Sequence, residues 1–256
     1  MKKNIKIALI LIGILIVGII VYKENKEIYS IEDRVKNIQK ETQNDSQYEK
    51  TIGWIKIQGT VIDYPVIYYR DGYENEIKKQ YAWTDNTQKR IYNHVTIYGH
   101  NIVNLSANPR INGKNFDHFE DIMAFVYPEF IEKNKYIQYS VDDKNYVYKV
   151  FGVRLLKEFD QDSLNFKSNR TEKEIEKYLK EVKKDNIYKA NVDVQNYDAI
   201  LSLVTCTRMY GAKHKASLVI DARMVRPGER LKDYTVVKTD NYKKIKKLMK
   251  GDEKNA

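Results

Sequence analysis

Ile52-Gly-Trp-Ile-Lys-Ile-Gln-Gly-Thr-Val-Ile-Asp-Tyr-Pro-Val-Ile-Tyr-Tyr69 decides the fold class. β-Branched and aromatic residues fill this stretch, and turn signals at Gln58-Gly59 and Tyr64-Pro65 cut it into pieces too short for helices. The same texture predicts strands over Val95 to Gly99, Tyr136 to Val141, Tyr146 to Leu156, Tyr197 to Thr205 and Ser217 to Val225. Asp142-Asp143-Lys144-Asn145 reads as a hairpin turn between two of them. Helical spacing interrupts the pattern once clearly: Thr171-Glu-Lys-Glu174 has the form of a capping box, and Ile175, Tyr178, Leu179 and Val182 follow it at helical intervals. A weaker helix is expected over Phe116 to Met123. The expected architecture is mostly β, a barrel with helical insertions.

Upstream of these strands the chain changes character twice. Lys2, Lys3 and Lys6 precede the apolar run Ile7 to Tyr22, whose 16 residues fall a little short of an upright membrane span. Flanking lysines extend such a run by snorkelling, and no small-residue cleavage site follows it, so residues 1–25 read as a cytoplasmic tip and an uncleaved signal anchor. The N-terminal lysines favour a cytoplasmic end, which places the remaining part of the chain outside the cell. Residues 26–50 are charged, and Ile28, Ile31, Val35 and Ile38 mark an amphipathic N-terminal helix or stalk. The barrel is expected over 51–235, with 236–256 as a charged tail.

The formal charge of +10 is spread as lysine pairs among acidic residues, and no nucleic-acid recognition motif accompanies it. Nucleic acid is therefore a poor partner, and anionic lipid or acidic envelope polymers a better one.

One cysteine, Cys206, ends the apolar run Ala199-Ile-Leu-Ser-Leu-Val-Thr-Cys-Thr207. A lone cysteine in an exported chain forms no internal disulfide, which leaves an intermolecular partner, a reactive thiol or a small buried hydrophobe. A reactive thiol needs a base or a positive charge beside it. Of four histidines, His118 reads as a packing residue, His214 as solvated within Gly211-Ala-Lys-His-Lys215, and His94 as an ordinary strand-face residue. His100 follows a strand and Gly99 in Val95-Thr-Ile-Tyr-Gly-His-Asn101, the same strand-end setting as Cys206, from which it stands 106 positions away.

Leu203-Val-Thr-Cys206 resembles the TLxTC-type strand of the sortases, and Tyr98-Gly-His-Asn101 resembles their histidine motif. Gly53 to Val66 is similar to the opening strands of class B sortases, Asn115-Phe-Asp-His-Phe119 to the helix after their histidine, and the helix from Thr171 to the one before their cysteine. Together the likeness spans roughly residues 50 to 226. It implies a closed β-barrel cysteine transpeptidase, anchored by its N-terminus on the outside of a Gram-positive cell membrane and requiring no cofactor or metal. Cys206 would carry the acyl group as a thioester and His100 would serve as acid and then base. The implied partners are secreted proteins with a C-terminal, NPxTN-like sorting signal and an amine of the cell-wall peptide.

One feature departs from the family. Aligning Leu218-Val-Ile-Asp-Ala-Arg223 with the strand after the cysteine puts Ser217 where sortases carry an arginine that binds substrate and the oxyanion. A serine brings no charge and no bidentate fork. Arg208, two residues after the thiol, and Lys215, two before Ser217, are the candidate substitutes, each also readable as a solvated cation. Arg223 lies six residues on, roughly 20 Å along a strand, which is too far. The alternative reading is a catalytically weak, sortase-like binding module, and a structural envelope protein with Cys206 in its core is a third.

Overall fold

The computed structural model describes residues 51–68, 82–84, 92–99, 101, 119–158, 170–210, 213–229 and 234–251. The expected anchor and N-terminal helix lie outside these residues, and among the described helices none is long and apolar enough to cross a membrane.

Strands β1 (Thr51–Ile57), β2 (Asp63–Tyr68), β3 (Ala82–Thr84), β4 (His94–Gly99), β5 (Tyr136–Val141), β6 (Lys144–Leu156), β8 (Ile200–Thr207) and β9 (Ala216–Met224) form a closed barrel in the order β1-β2-β3-β4-β8-β9-β6-β5. Alternation along each strand explains the closure. Ile55 and Ile57, Val95 and Ile97, Leu201 and Leu203, and Leu218 and Ile220 fill the interior. Trp54 and Lys56, one residue out of phase on β1, both donate hydrogen bonds to Asp63 across the first hairpin, at 2.8 and 3.1 Å. The turn between β5 and β6 holds Asp142 and Asp143 at φ 53° and 56°, the left-handed pair that a two-residue hairpin needs.

A 3-10 helix (Phe119–Val126) and α1 (Pro128–Lys133) pack on the interior cluster. Helix α2 (Glu172–Asp185) opens with both halves of the capping box in place: Thr171 Oγ1 accepts from Glu174 N, and Thr171 N donates to Glu174 Oε2 at 2.7 Å. Its apolar stripe, Ile175, Tyr178 and Val182, covers the outer face of β4, β8 and β9 around Val204 and Val219. Gly152 on β6 permits this approach, because a Cβ there would lie 2.8 Å from Val182 Cγ1.

The C-terminal segment departs from the charged tail the sequence suggests. It forms β10 (Val236–Lys238), paired antiparallel with β7 (Tyr188–Ala190), and helix α3 (Asp240–Gly251). Tyr242, Ile245 and Leu248, at helical spacing, seat α3 on the core while Lys243, Lys244, Lys246 and Lys247 face water.

Candidate functional site

β4 and β8 run parallel, with Gly99 level with Thr205. The two residues that follow them in sequence are His100 and Cys206, so the candidate pair departs from one rung of the sheet. His100 itself lies outside the described residues, as do residues 115–118 with His118. Two bonds tie the two chain segments together here: Thr205 Oγ1 donates to Gly99 O at 2.8 Å, and Asn101 Nδ2 donates to Cys206 O at 2.9 Å. Gly99 is demanded by packing, since a Cβ there would fall 2.1 Å from Phe119 Cγ.

Cys206 shares its face of β8 with Ser202 and Val204, outside the barrel, and its thiol is free and exposed. Ser217 is its cross-strand partner on β9, buried to 2 % exposure, and hydrogen-bonds the thiol. Although the residue is open to solvent on one side, the protein atoms packed around its sulfur partly desolvate it and push the thiol above its ordinary pKa, while the Ser217 hydroxyl pulls the other way. Of the two candidate cations, Arg208 lies just past the end of β8 and Lys215 just before the start of β9, and both are exposed. Strand β9 begins at Ala216, so Lys215 does not continue the row of Ser217. Apolar walls stand near the thiol: Tyr98 stacks on Trp83 with ring centroids 6.1 Å apart, and both join Val204, Val219 and Leu156 in one outer cluster.

Farther down the same face lies a group of residues that sequence reading did not assemble. Arg154 of β6 and Asp221 of β9, both fully buried, pair at 2.7 Å. Asp221 also accepts from Tyr178 at 2.5 Å and from Ser202 at 2.8 Å. His94 closes the chain. Arg170 Nε donates to its Nδ1 at 2.8 Å, which leaves the proton on Nε2 to reach Ser202 Oγ at 2.9 Å. Burial, then the positive charges of Arg170 and Arg154, hold His94 well below the ordinary histidine pKa, so it is neutral. The sequence signal was faint: His94 shares its outward face with Thr96 and Tyr98, Ser202 with Ile200 and Val204, and Asp221 with Ser217, Val219 and Arg223, so no strand pattern singles them out.

The remaining candidates are occupied elsewhere. Arg223 forms a two-pronged ion pair with Glu229 at 2.6 and 2.7 Å, at the far end of β9 from Ser217. His214 pairs with Glu158. A cavity of about 480 Å³ between α2, β6 and β7 is walled by Leu179, Val182, Val192 and Val194 and is lined by no thiol, histidine or carboxylate. Among the described residues no three His, Cys, Asp or Glu side chains gather as metal ligands.

A family model described as the sortase domain matches residues 55–225. Sortase B of Listeria monocytogenes is 27% identical over 191 residues, covering 68% of this chain and 69% of that protein. Sortase B of Staphylococcus aureus is 25% identical over 179 residues, 66% and 68% of the two. Among solved structures, a mutant form of Clostridium perfringens sortase B superposes with a TM-score of 0.61 at 23% identity, covering 76% of this chain and 90% of that one. A Staphylococcus aureus sortase B-substrate complex superposes at 0.57 and 18% identity, covering 77% and 94%. These structural likenesses establish the closed-barrel fold.

Proposed function

Because the chain belongs to the sortase family of cysteine transpeptidases, we propose that it cleaves a C-terminal sorting signal of the NPxTN-like kind and joins the shortened protein to an amine of the cell-wall peptide. It does so outside the cell membrane, held by the N-terminal apolar segment. His100 takes the thiol proton as Cys206 sulfur attacks the threonine carbonyl, and passes it to the departing amine as the C–N bond to the next residue breaks. The thioester keeps the acyl group activated. An incoming amine then attacks, His100 takes up its proton, the C–S bond breaks and the thiol is restored.

The observation that carries this reading is the placement of Cys206: an exposed thiol at the end of an otherwise buried strand, directly across the rung from Ser217. Ser217 is the nearest candidate for steadying the thiolate and the oxyanion, with Arg208 and then Lys215 as cations able to swing over the rim. Similarity to a sortase B seen with its substrate supports a peptide substrate. The test is mass spectrometry of the full chain incubated with a sorting-signal peptide. A covalent adduct on Cys206 is expected. A Cys206→Ala protein that still cleaves the peptide would sink the assignment.

The second reading, a weak sortase-like binding module, draws on the neutral Ser217 and the raised thiol. It predicts peptide binding without turnover. Ser217→Arg separates the two, because restoring charge and fork raises turnover only where acyl transfer already occurs.

A further inference from the structure

Strand β4 stops at Gly99, level with Thr205, but β8 continues to Thr207. On its other side, β8 stays paired to the end, Cys206 with Ser217 and Thr207 with Ala216. The Cys206 carbonyl therefore projects past the last rung of β4, where among the described residues no strand N–H meets it. At this exposed edge water can satisfy the carbonyl but does not hold it in place, so a fixed donor changes its position more than its stability. Asn101 Nδ2 is that donor, at 2.9 Å. The same amide's Oδ1 is buried and has no hydrogen-bond partner among the described residues. The side chain is thus not part of a wider polar network there, and its hydrogen bond to Cys206 is the contact that its placement serves.

We propose that Asn101 is a positioning residue for acyl transfer: its amide N–H stands in for a missing strand rung, fixing the backbone of Cys206 where β4 leaves the sheet. The inference rests on Cys206 being the acylated nucleophile. A side-chain donor does here what a longer β4 would do, without laying more strand beside the thiol. The gain is geometric. The sulfur is two bonds from the Cys206 Cα, and the carbonyl carbon that Asn101 anchors is bonded to that same Cα, so freedom at the carbonyl becomes freedom at the sulfur. It also loosens the Ser217 contact, which depends on the two residues staying in register. Misplacing a reacting atom by about 1 Å costs on the order of 100-fold in rate.

Three variants of the full chain test this: Asn101→Ala removes the donor, Asn101→Asp sets a carboxylate oxygen against the carbonyl, and Asn101→Gln keeps the amide on a longer arm. Two readouts are needed. The first is the pH profile of Cys206 alkylation by iodoacetamide, which involves no peptide. The second is kcat and KM for transfer from a sorting-signal peptide. The Ala and Asp variants are expected to lower kcat by ~10- to 100-fold with KM little changed, and to shift the alkylation profile to higher pH, at an unchanged melting temperature. The Gln variant recovers part of both. An Ala variant whose alkylation profile and kcat match the parent overturns the proposal, as does a loss that tracks the melting temperature alone. Absence of an acyl-enzyme in the parent would refute the transpeptidase reading instead, and the alkylation profile would still decide the role of Asn101.

Discussion

Ser202 and Cys206 stand on the same face of the same strand, four residues and roughly 13 Å apart, in opposite surroundings. Ser202 is sealed beneath α2, where Arg154, Asp221, Tyr178, His94 and Arg170 form a closed chain of donors and acceptors. Cys206 is open to solvent and has a neutral hydroxyl as its hydrogen-bond partner. The buried end holds two guanidiniums, Arg154 and Arg170, against one carboxylate, Asp221, and its ring and hydroxyls are committed to one arrangement. The open end is left under-committed, and an under-committed thiol is one that a substrate can engage. The face therefore divides in two: polar groups below lock the helix to the barrel, and the thiol above is left open for the chemistry proposed for it.

Breaking the closed end gives the largest effect. Asp221→Ala strands a buried guanidinium and is expected to cost about 3–5 kcal/mol in urea unfolding. Replacing the pair together, Arg154→Met with Asp221→Leu, is expected to cost far less, because no orphan charge remains. If the single and double variants lose equal stability, the cluster acts through shape and not charge.

The next effect is set by pH. His94 is held well below its ordinary value of 6.5. An unfolded chain takes up a proton at that pH and the folded one does not, so His94 favours the folded state fully above about pH 6.5. This contribution is lost as pH falls toward the folded pKa, at a slope approaching ~1.4 kcal/mol per unit. Melting measured between pH 7.5 and 5.5 is expected to fall more steeply for the parent than for His94→Gln, and parallel curves would show that the ring is not held neutral. The smallest effect belongs to the open end. Ser217→Ala removes one hydrogen bond, about 0.5–1.5 kcal/mol, so iodoacetamide alkylation of Cys206 at pH 7 slows several-fold while stability barely moves. Faster alkylation would mean that Ser217 shields the thiol.

The two ends also differ in how far they can be read without a structure. Cys206 ends a long apolar run, Ser217 stands out by departing from an arginine, and the Thr171 capping box declares itself within four residues. Each of these signals is local. The polar cluster is assembled from β4, β6, α2, β8 and β9, and nothing within any one of those segments tells that His94 meets Ser202 or that Arg154 meets Asp221. Helix α3 was obscured for another reason. Its lysines dominate composition, whereas the seat on the core depends on Tyr242, Ile245 and Leu248 alone. Asn101 was visible only as a member of a motif, since its work appears once Cys206 is brought beside it.

The parallel pairing of β4 with β8 has a consequence in time. The strands come from residues 94–99 and 200–207, so the rung that ends at Gly99 and Thr205 closes a loop of about a hundred residues. Contacts of such separation form slowly, after local hairpins such as β5–β6. Until β8 docks between β4 and β9, Cys206 has neither the Asn101 amide on its carbonyl nor Ser217 on its sulfur, and it behaves as an ordinary thiol. The acyl transfer proposed for it would thus be a late product of folding, withheld from any chain that has not finished closing its barrel.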